Sequence, residues 1–419
     1  MILPSAPRLD RCLVDVKGYG FPLAAWAGVN RRSAEASQSK TIHAHRHMTA
    51  IVSVSRGEGG GAESVLENLL RAWPDPQTLM IAAPPESRVN RTGWQVGAKV
   101  LDLDSRDDTL GSNLFAGIRL LPEFRRCGVL HAWSGRAYEI VAALGMLTRA
   151  PVTGTLHDHP RAGYIQRRRQ ALMRWTANRF AGLVCVSRAV AEECRKSGYR
   201  VPLPVILNGV HDFGPRPASP RSPRVGFLGM HDPDKGFEVV RPWIERVLAE
   251  STAEFALYGE IAPGLKASAQ KLVDVAPTRV LLQGWRPTAE IYRDIDVLIH
   301  ASQKFETYGM VLAEAACAGI PVVASTRGAE SEVVVDGETG LLYPLDRPEV
   351  GLEHLRRLVH DTHVRRLLGR QARVRYEACL TAARMATNYA TWWDNIACPA
   401  RPAATGRGNQ TSGARFKAD

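Results

Sequence analysis

Short apolar runs alternate with helical stretches along this chain, and the alternation restarts after a break. Strands read at Thr49–Ser55, Thr78–Ala82, Val100–Leu103, Val129–Ala132, Val152–Leu156, Leu183–Val186 and Val205–Leu207. Helical patterns fill gaps between them at Glu63–Trp73, Ala137–Thr148 and Arg188–Lys196. Strands of this kind, apolar throughout and separated by helices, predict a parallel sheet covered on both faces. Phe213–Arg224 is rich in Pro and Ser and reads as a linker. The pattern then resumes with strands at Val225–Leu228, Glu254–Tyr258, Arg279–Gln283, Val297–His300 and Pro321–Ser325. Helices are expected at Phe237–Ala249 and Ala267–Val275, with a long helical region over Glu349–Trp393. At 419 residues the chain exceeds one ordinary core, so the expectation is two α/β domains.

Composition narrows the function classes. The net charge of +12 is uneven: residues 1–47 carry +4 and residues 398–419 carry +3, leaving +5 for the body. A basic body suits anionic ligands or a membrane surface. No ordered basic and aromatic pattern accompanies it, so nucleic acid is not expected as a partner. The seven cysteines are scattered without a CxxC pair, which argues against a zinc site or a disulfide framework and for thiols in a reducing cytosol. No apolar run is long enough to span a membrane, and Phe21–Val29 lacks a signal peptide's flanks. Residues 1–47 are polar and aperiodic, with Met48 directly before the first strand, and read as an extension outside the fold.

Four stretches carry candidate chemistry. "SRGEGGGAES" ends the first strand and opens a helix, so Gly60 and Gly61 let backbone amides approach a phosphate or sugar. Gly57, Gly59 and Ala62 also fit a loose dinucleotide fingerprint, but the acid expected after the second strand is missing, which disfavours a nicotinamide dehydrogenase. "VTGTLHDHP" sets His157 just beyond a parallel strand, where open α/β sheets collect ligands. There it can donate a hydrogen bond to substrate, with a structural histidine as the plainer reading. "FLGMHDPDKGF" places Lys235 at a helix start, suited to an anion or simply solvated. In "FETYGMVLAEAACAGIPVVAS", Glu306 lies on a loop and Glu314 about one and a half turns into the next helix. The first amides of that helix, at Gly309, Met310 and Val311, fall between the two acids. Hydroxyls on both carboxylates with a diphosphate on the amides would suit a nucleotide sugar. The plainer reading is a surface helix with ordinary glutamates.

Together these pieces resemble the retaining glycosyltransferases of family four, which have the GT-B fold. "GGGAES", "VLHAWSGRA", "TLHDH", "LVCVSRAVAE", "ILNGV", "DKGFE", "LLQGW", "FETYGMVLAEAACAGIPVVAS" and "GETGLLYP" stand in the family's order across residues 48–396. The resemblance implies two Rossmann-like domains facing across a cleft. One is expected over 48–215, completed by a helix around 386–396, and the other over 216–385, with a disordered tail at 397–419. It implies that Glu306 and His157 meet the donor sugar and that Glu314 takes the ribose hydroxyls. The amides of Gly309, Met310 and Val311, with Lys235, would hold the diphosphate. Gly284 and Trp285 would meet the base, and Gly60 and Gly61 the phosphates or acceptor. The implied reaction moves a sugar from a nucleotide sugar to an acceptor hydroxyl with retention, needing neither metal nor cofactor. A glycan or a lipid-linked sugar is the expected acceptor, and the location is cytoplasmic with peripheral membrane contact. "YIQRRRQALMRW" (164–175) supplies a basic helix for such contact, or merely a solvated one. One departure stands out: Met230 occupies a position where many members carry arginine, with His231 and Arg327 as substitutes. It motivates an alternative, a nucleotide-sugar-binding protein with weak turnover.

Overall fold

The computed structural model describes residues 47–55, 61–104, 109–163, 165–217 and 222–398. The expectations for residues 1–46 and 399–419, and for Gly60, lie outside them. The N-terminal sheet contains β1 (Thr49–Val52), β2 (Leu79–Ala83), β3 (Lys99–Asp102), β4 (Val129–Ala132), β5 (Val152–Leu156) and β6 (Gly182–Cys185). All pair in parallel in the order β3-β2-β1-β4-β5-β6. Its helices are α1 (Gly61–Arg71), α2 (Arg88–Val96), α3 (Leu110–Arg119), α4 (Tyr138–Thr148), α5 (Arg167–Ala177) and α6 (Arg188–Lys196). Capping fixes several starts: Ser87, Thr109 and Ser187 each accept the amide three residues on.

The second sheet contains β7 (Arg224–Leu228), β8 (Glu254–Tyr258), β9 (Val280–Gly284), β10 (Val297–His300), β11 (Val322–Thr326) and β12 (Leu341–Pro344). Its order is β12-β11-β10-β7-β8-β9, again parallel throughout. Around it lie α7 (Phe237–Glu250), α8 (Lys266–Val275), α9 (Thr288–Asp294), α10 (Met310–Ala318), α11 (Pro348–His360) and α12 (Thr362–Arg375). The chain ends its described course in α13 (Ala382–Ala397).

Two strand expectations need correction. Val205–Leu207 forms a single parallel bridge, Cys185 to Val205, and no strand of the sheet. Pro202 and Pro204 precede it, and their carbonyls accept from Leu183 and Cys185. Proline has no amide to return, so the ladder cannot propagate. Conversely, Leu341–Pro344 is a strand that periodicity did not reveal. It pairs only with β11, at the sheet edge, where Pro344 is tolerated.

The chain crosses between domains twice, and the crossings pair with each other. Val210 N donates to Leu380 O at 2.9 Å, and Ala382 N donates to Val210 O at 2.9 Å. A Cβ on Gly209 would stand 2.5 Å from the Thr381 carbonyl oxygen, so the approach requires glycine. Beyond the second crossing, α13 packs on the N-terminal sheet. Tyr389 Oη meets Thr155 Oγ1 at 2.8 Å, and the Trp393 ring lies 5.4 Å from that of Trp73.

Candidate functional site

The carboxyl ends of β7, β9, β10 and β11 converge on one edge of the second sheet, where a parallel sheet offers loops and helix N-termini to ligands. Glu306 sits on the loop between β10 and α10. Its Oε2 lies 3.7 Å from Lys235 Nζ and 3.5 Å from His300 Nε2. Burial alone would raise its pKa, but His300 and Lys235 outweigh burial and hold the carboxyl down at about 2. Glu306 is therefore ionised at neutral pH. Lys235 reaches it because the turn Pro233–Lys235 ends at Gly236, φ +83°, where a Cβ would stand 2.1 Å from the Ala301 carbonyl oxygen.

Helix α10 starts at Gly309, whose φ of +88° sets the sharp entry. The Gly309 carbonyl accepts Leu312 N at 3.0 Å. The amides of Met310 and Val311 belong to the first turn and have no intrahelical acceptor. One turn further, Glu314 is half-buried against Tyr292, whose hydroxyl lies 3.0 Å from Glu314 Oε2 and 2.9 Å from the Val311 carbonyl oxygen. Burial pushes Glu314 up to about 7, against the lowering effect of the Tyr292 hydrogen bond. The two acids thus differ sharply: one is a fixed anion, the other titrates near neutrality.

The loop after β11 braces Glu306 from behind, which the sequence reading missed. Ala329 N donates to Glu306 O at 2.9 Å. A Cβ on Gly328 would stand 2.1 Å from that same oxygen. Glu330, fully buried, accepts the amides of Gly328 at 2.6 Å and Arg327 at 3.2 Å, which shapes the loop. Only the run of small and acidic residues "RGAESE" hinted at this.

At β9, Gly284 has φ +63° and turns the chain so that Trp285 projects 68% exposed. The His231 ring lies 5.0 Å from the indole. Together they form an aromatic lip. Met230, by contrast, is fully buried with Phe237 in the domain core and offers nothing to a ligand. Of the two residues considered as its substitutes, His231 stands at this lip and Arg327 lines the groove between the domains.

From the other domain, β5 delivers His157 at its carboxyl end. Its ring packs 5.0 Å from that of Trp133, and Nε2 is buried without a hydrogen-bond partner. Burial lowers its pKa to about 3, opposed by a hydrogen bond to the Trp133 backbone. Trp133 Nε1 donates to Ala62 O at 2.8 Å, tying His157 to the start of α1. Gly61 opens that helix, and a Cβ there would meet nothing within 4 Å.

Two contacts bring the domains together. The His159 ring packs edge-on at 4.8 Å against Phe305, the residue before Glu306. Glu332 accepts Arg188 N at 2.8 Å and Ala189 N at 2.9 Å, a carboxylate on the N-terminus of α6. A cavity of about 380 Å³ opens beside them, between Glu193 and Lys196 of α6 and Phe305, Arg327 and Gly328 opposite. Cys127, Cys185, Cys194 and Cys317 are buried thiols and Cys398 an exposed one, whereas Cys379 is disulfide-bonded, against the expectation of free thiols throughout. Among the described residues no group of three or more His, Cys, Asp or Glu could hold a metal ion, and no helix is long and apolar enough to cross a membrane.

Two six-stranded parallel sheets with flanking helices, whose loops meet across a cleft, are the GT-B architecture of two Rossmann-like domains. Residues 59–212 match the family model described as Glycosyltransferase Family 4, and residues 222–361 match that described as Glycosyl transferases group 1. The chain belongs to the GT-B group 1 glycosyltransferases. It is 30% identical over 159 residues to the sulfoquinovosyl transferase SQD2 of Arabidopsis thaliana, covering 37% of this chain and 30% of that protein. It is 27% identical over 231 residues to a phosphatidyl-myo-inositol mannosyltransferase of Mycobacterium tuberculosis, covering 53% of this chain and 61% of that protein. The matches thus span between 30% and 61% of these curated relatives. Among solved structures, Anabaena HepE in complex with UDP and glucose superposes with a TM-score of 0.69 at 19% identity, over 83% of this chain and 99% of that one.

Proposed function

We propose that the protein transfers a glycosyl group from a nucleotide sugar to an acceptor hydroxyl, with retention at the anomeric carbon. The observation that carries this reading is the contact of His159 with Phe305. It sets the His157 loop of one domain against the Glu306 loop of the other. In this reading Glu306 accepts donor-sugar hydroxyls and Glu314 accepts those of the ribose. Lys235 and the amides of Gly309, Met310 and Val311 meet the diphosphate at a helix N-terminus. Trp285, turned outward at Gly284, stacks on the base. His157 hydrogen-bonds a sugar hydroxyl, while Gly61 faces the phosphates or the acceptor.

The acceptor attacks from the face the phosphate leaves, and the departing phosphate oxygen takes its proton. The protein positions these groups and compensates charge, which Lys235 and the helix amides do without a resident metal. The polar cavity beside Phe305 has room for part of a glycan or lipid-linked acceptor. A cytoplasmic location is part of this reading. A glycan, polysaccharide or glycolipid pathway is the setting we propose.

Burial of Met230 favours one second reading, a nucleotide-sugar binder with weak turnover, because the phosphate then relies on a single lysine. A panel of UDP, GDP and ADP sugars separates these readings. Thermal stabilisation is followed by product analysis, with anomeric configuration read by NMR. Stabilisation with turnover that Glu306→Ala removes supports transfer. Stabilisation with only slow hydrolysis supports the weak binder. Stabilisation by NAD alone, or an inverted product, overturns the assignment.

A further inference from the structure

We infer that the outer layer formed by α3, α4 and α5 is a docking surface for an anionic lipid membrane. Twelve large apolar side chains are exposed among the described residues, and seven of them lie on these three helices. Leu110, Phe115 and Ile118 project from α3, and Met146 and Leu147 from the last turn of α4. On α5, Leu172 and Trp175 project, the indole 58% exposed. Concentration on one layer, rather than scatter, marks a surface that another phase covers.

The three helices are neighbours. A Cβ on Gly117 of α3 would meet Ile140 and Leu144 of α4, and Arg169 of α5 pairs with Glu139 of α4. Arg168, Ala171, Leu172, Trp175 and Arg179 are all exposed at helical spacing along α5 and just past it. The stripe is apolar in the middle and cationic at both ends. The Arg179 guanidinium lies 3.5 Å over the Trp175 ring, an arrangement that keeps charge beside the indole.

Charge selects the occupant. Glu139 is the only acidic residue on the three helices, and Arg169 pairs with it. Arg119, Arg149, Arg167, Arg168 and Arg179 are all exposed. Arg167 and Arg168 stand in the first turn of α5, where the helix dipole disfavours cations. An external anionic surface offsets that cost. Interfacial Trp and Leu with flanking Arg match a headgroup region carrying negative charge. A second copy of this chain would set these arginines against one another.

The inference does not depend on the sugar-transfer reading. The test sediments the full chain with vesicles of phosphatidylcholine alone or mixed with phosphatidylglycerol, at low and high salt. Binding to the anionic vesicles only, weakened by salt, is expected. Arg167→Ala and Arg168→Ala should each lower partitioning roughly fivefold, and Trp175→Ala should lower it further, with melting temperatures held. Equal sedimentation of these variants and the parent overturns the inference, as does indifference to anionic lipid. So does sedimentation equilibrium showing a dimer that Trp175→Ala dissociates. Donor-sugar hydrolysis, measured alongside, fails or survives separately.

Discussion

Lys235 Nζ stands 3.7 Å from Glu306 Oε2, a cation and an anion delivered by different strands to one edge of the second sheet. The lysine can turn from this carboxylate to a phosphate when a donor arrives, because it is half-buried on a flexible stem. Lys235→Ala should weaken binding of UDP or the preferred nucleotide roughly ten- to a hundredfold by calorimetry, the range of a charge-assisted hydrogen bond. Unchanged affinity would remove Lys235 from the phosphate site.

Glu306→Gln should lower kcat/KM for transfer by roughly ten- to a hundredfold while the fold persists. Its pH signature is separate. The folded pKa lies near 2 against 4.5 for the ordinary group. The ionised carboxylate therefore stabilises the fold above about pH 4.5, and that stability is lost as pH falls toward 2. Melting temperatures over this window should drop less steeply in the variant.

Glu314 behaves in the opposite sense, since its folded pKa is raised from 4.5 to about 7. Its stabilisation is complete below pH 4.5 and is lost as pH rises through 7. Glu314→Gln should flatten that loss in a thermal melt series. Ribose hydroxyls donate to the ionised form, so nucleotide affinity should rise from about pH 6 to 8 in the parent and stay flat in the variant. A parent whose affinity falls across this range would place the ribose elsewhere.

Glu332→Ala should loosen the two domains, since it removes a carboxylate from two amides of α6. A cost of about 1–2 kcal/mol is expected for such a charge at a helix N-terminus. Small-angle scattering should show a larger radius of gyration, and donor KM should rise with the melting temperature of the second domain held.

Much of this was legible locally. The strands β4, β5, β8 and β10 have the bounds that apolar runs give, because parallel strands buried on both faces need little but continuous apolar sequence. Glu306 and Glu314 were found from a loop, a glycine and a helix start in one short stretch. Tyr292, which holds Glu314, was not found: it lies on α9, 22 residues away, and its role is a contact across elements. Gly328 and Glu330 were missed for the same reason, since the strain they relieve exists only beside the Glu306 backbone.

By itself, the sequence determined the α/β class, the two-domain division and the residue types at each strand end, because these follow from local periodicity and turn chemistry. Tertiary structure alone decided what those residues are electrically. Glu306 is a fixed anion because His300 and Lys235 surround it, and Glu314 titrates near 7 because burial faces only one hydroxyl. His157 stays neutral because it is buried against Trp133. Protonation depends on the field and solvent at a point in space, and sequence spacing does not specify those.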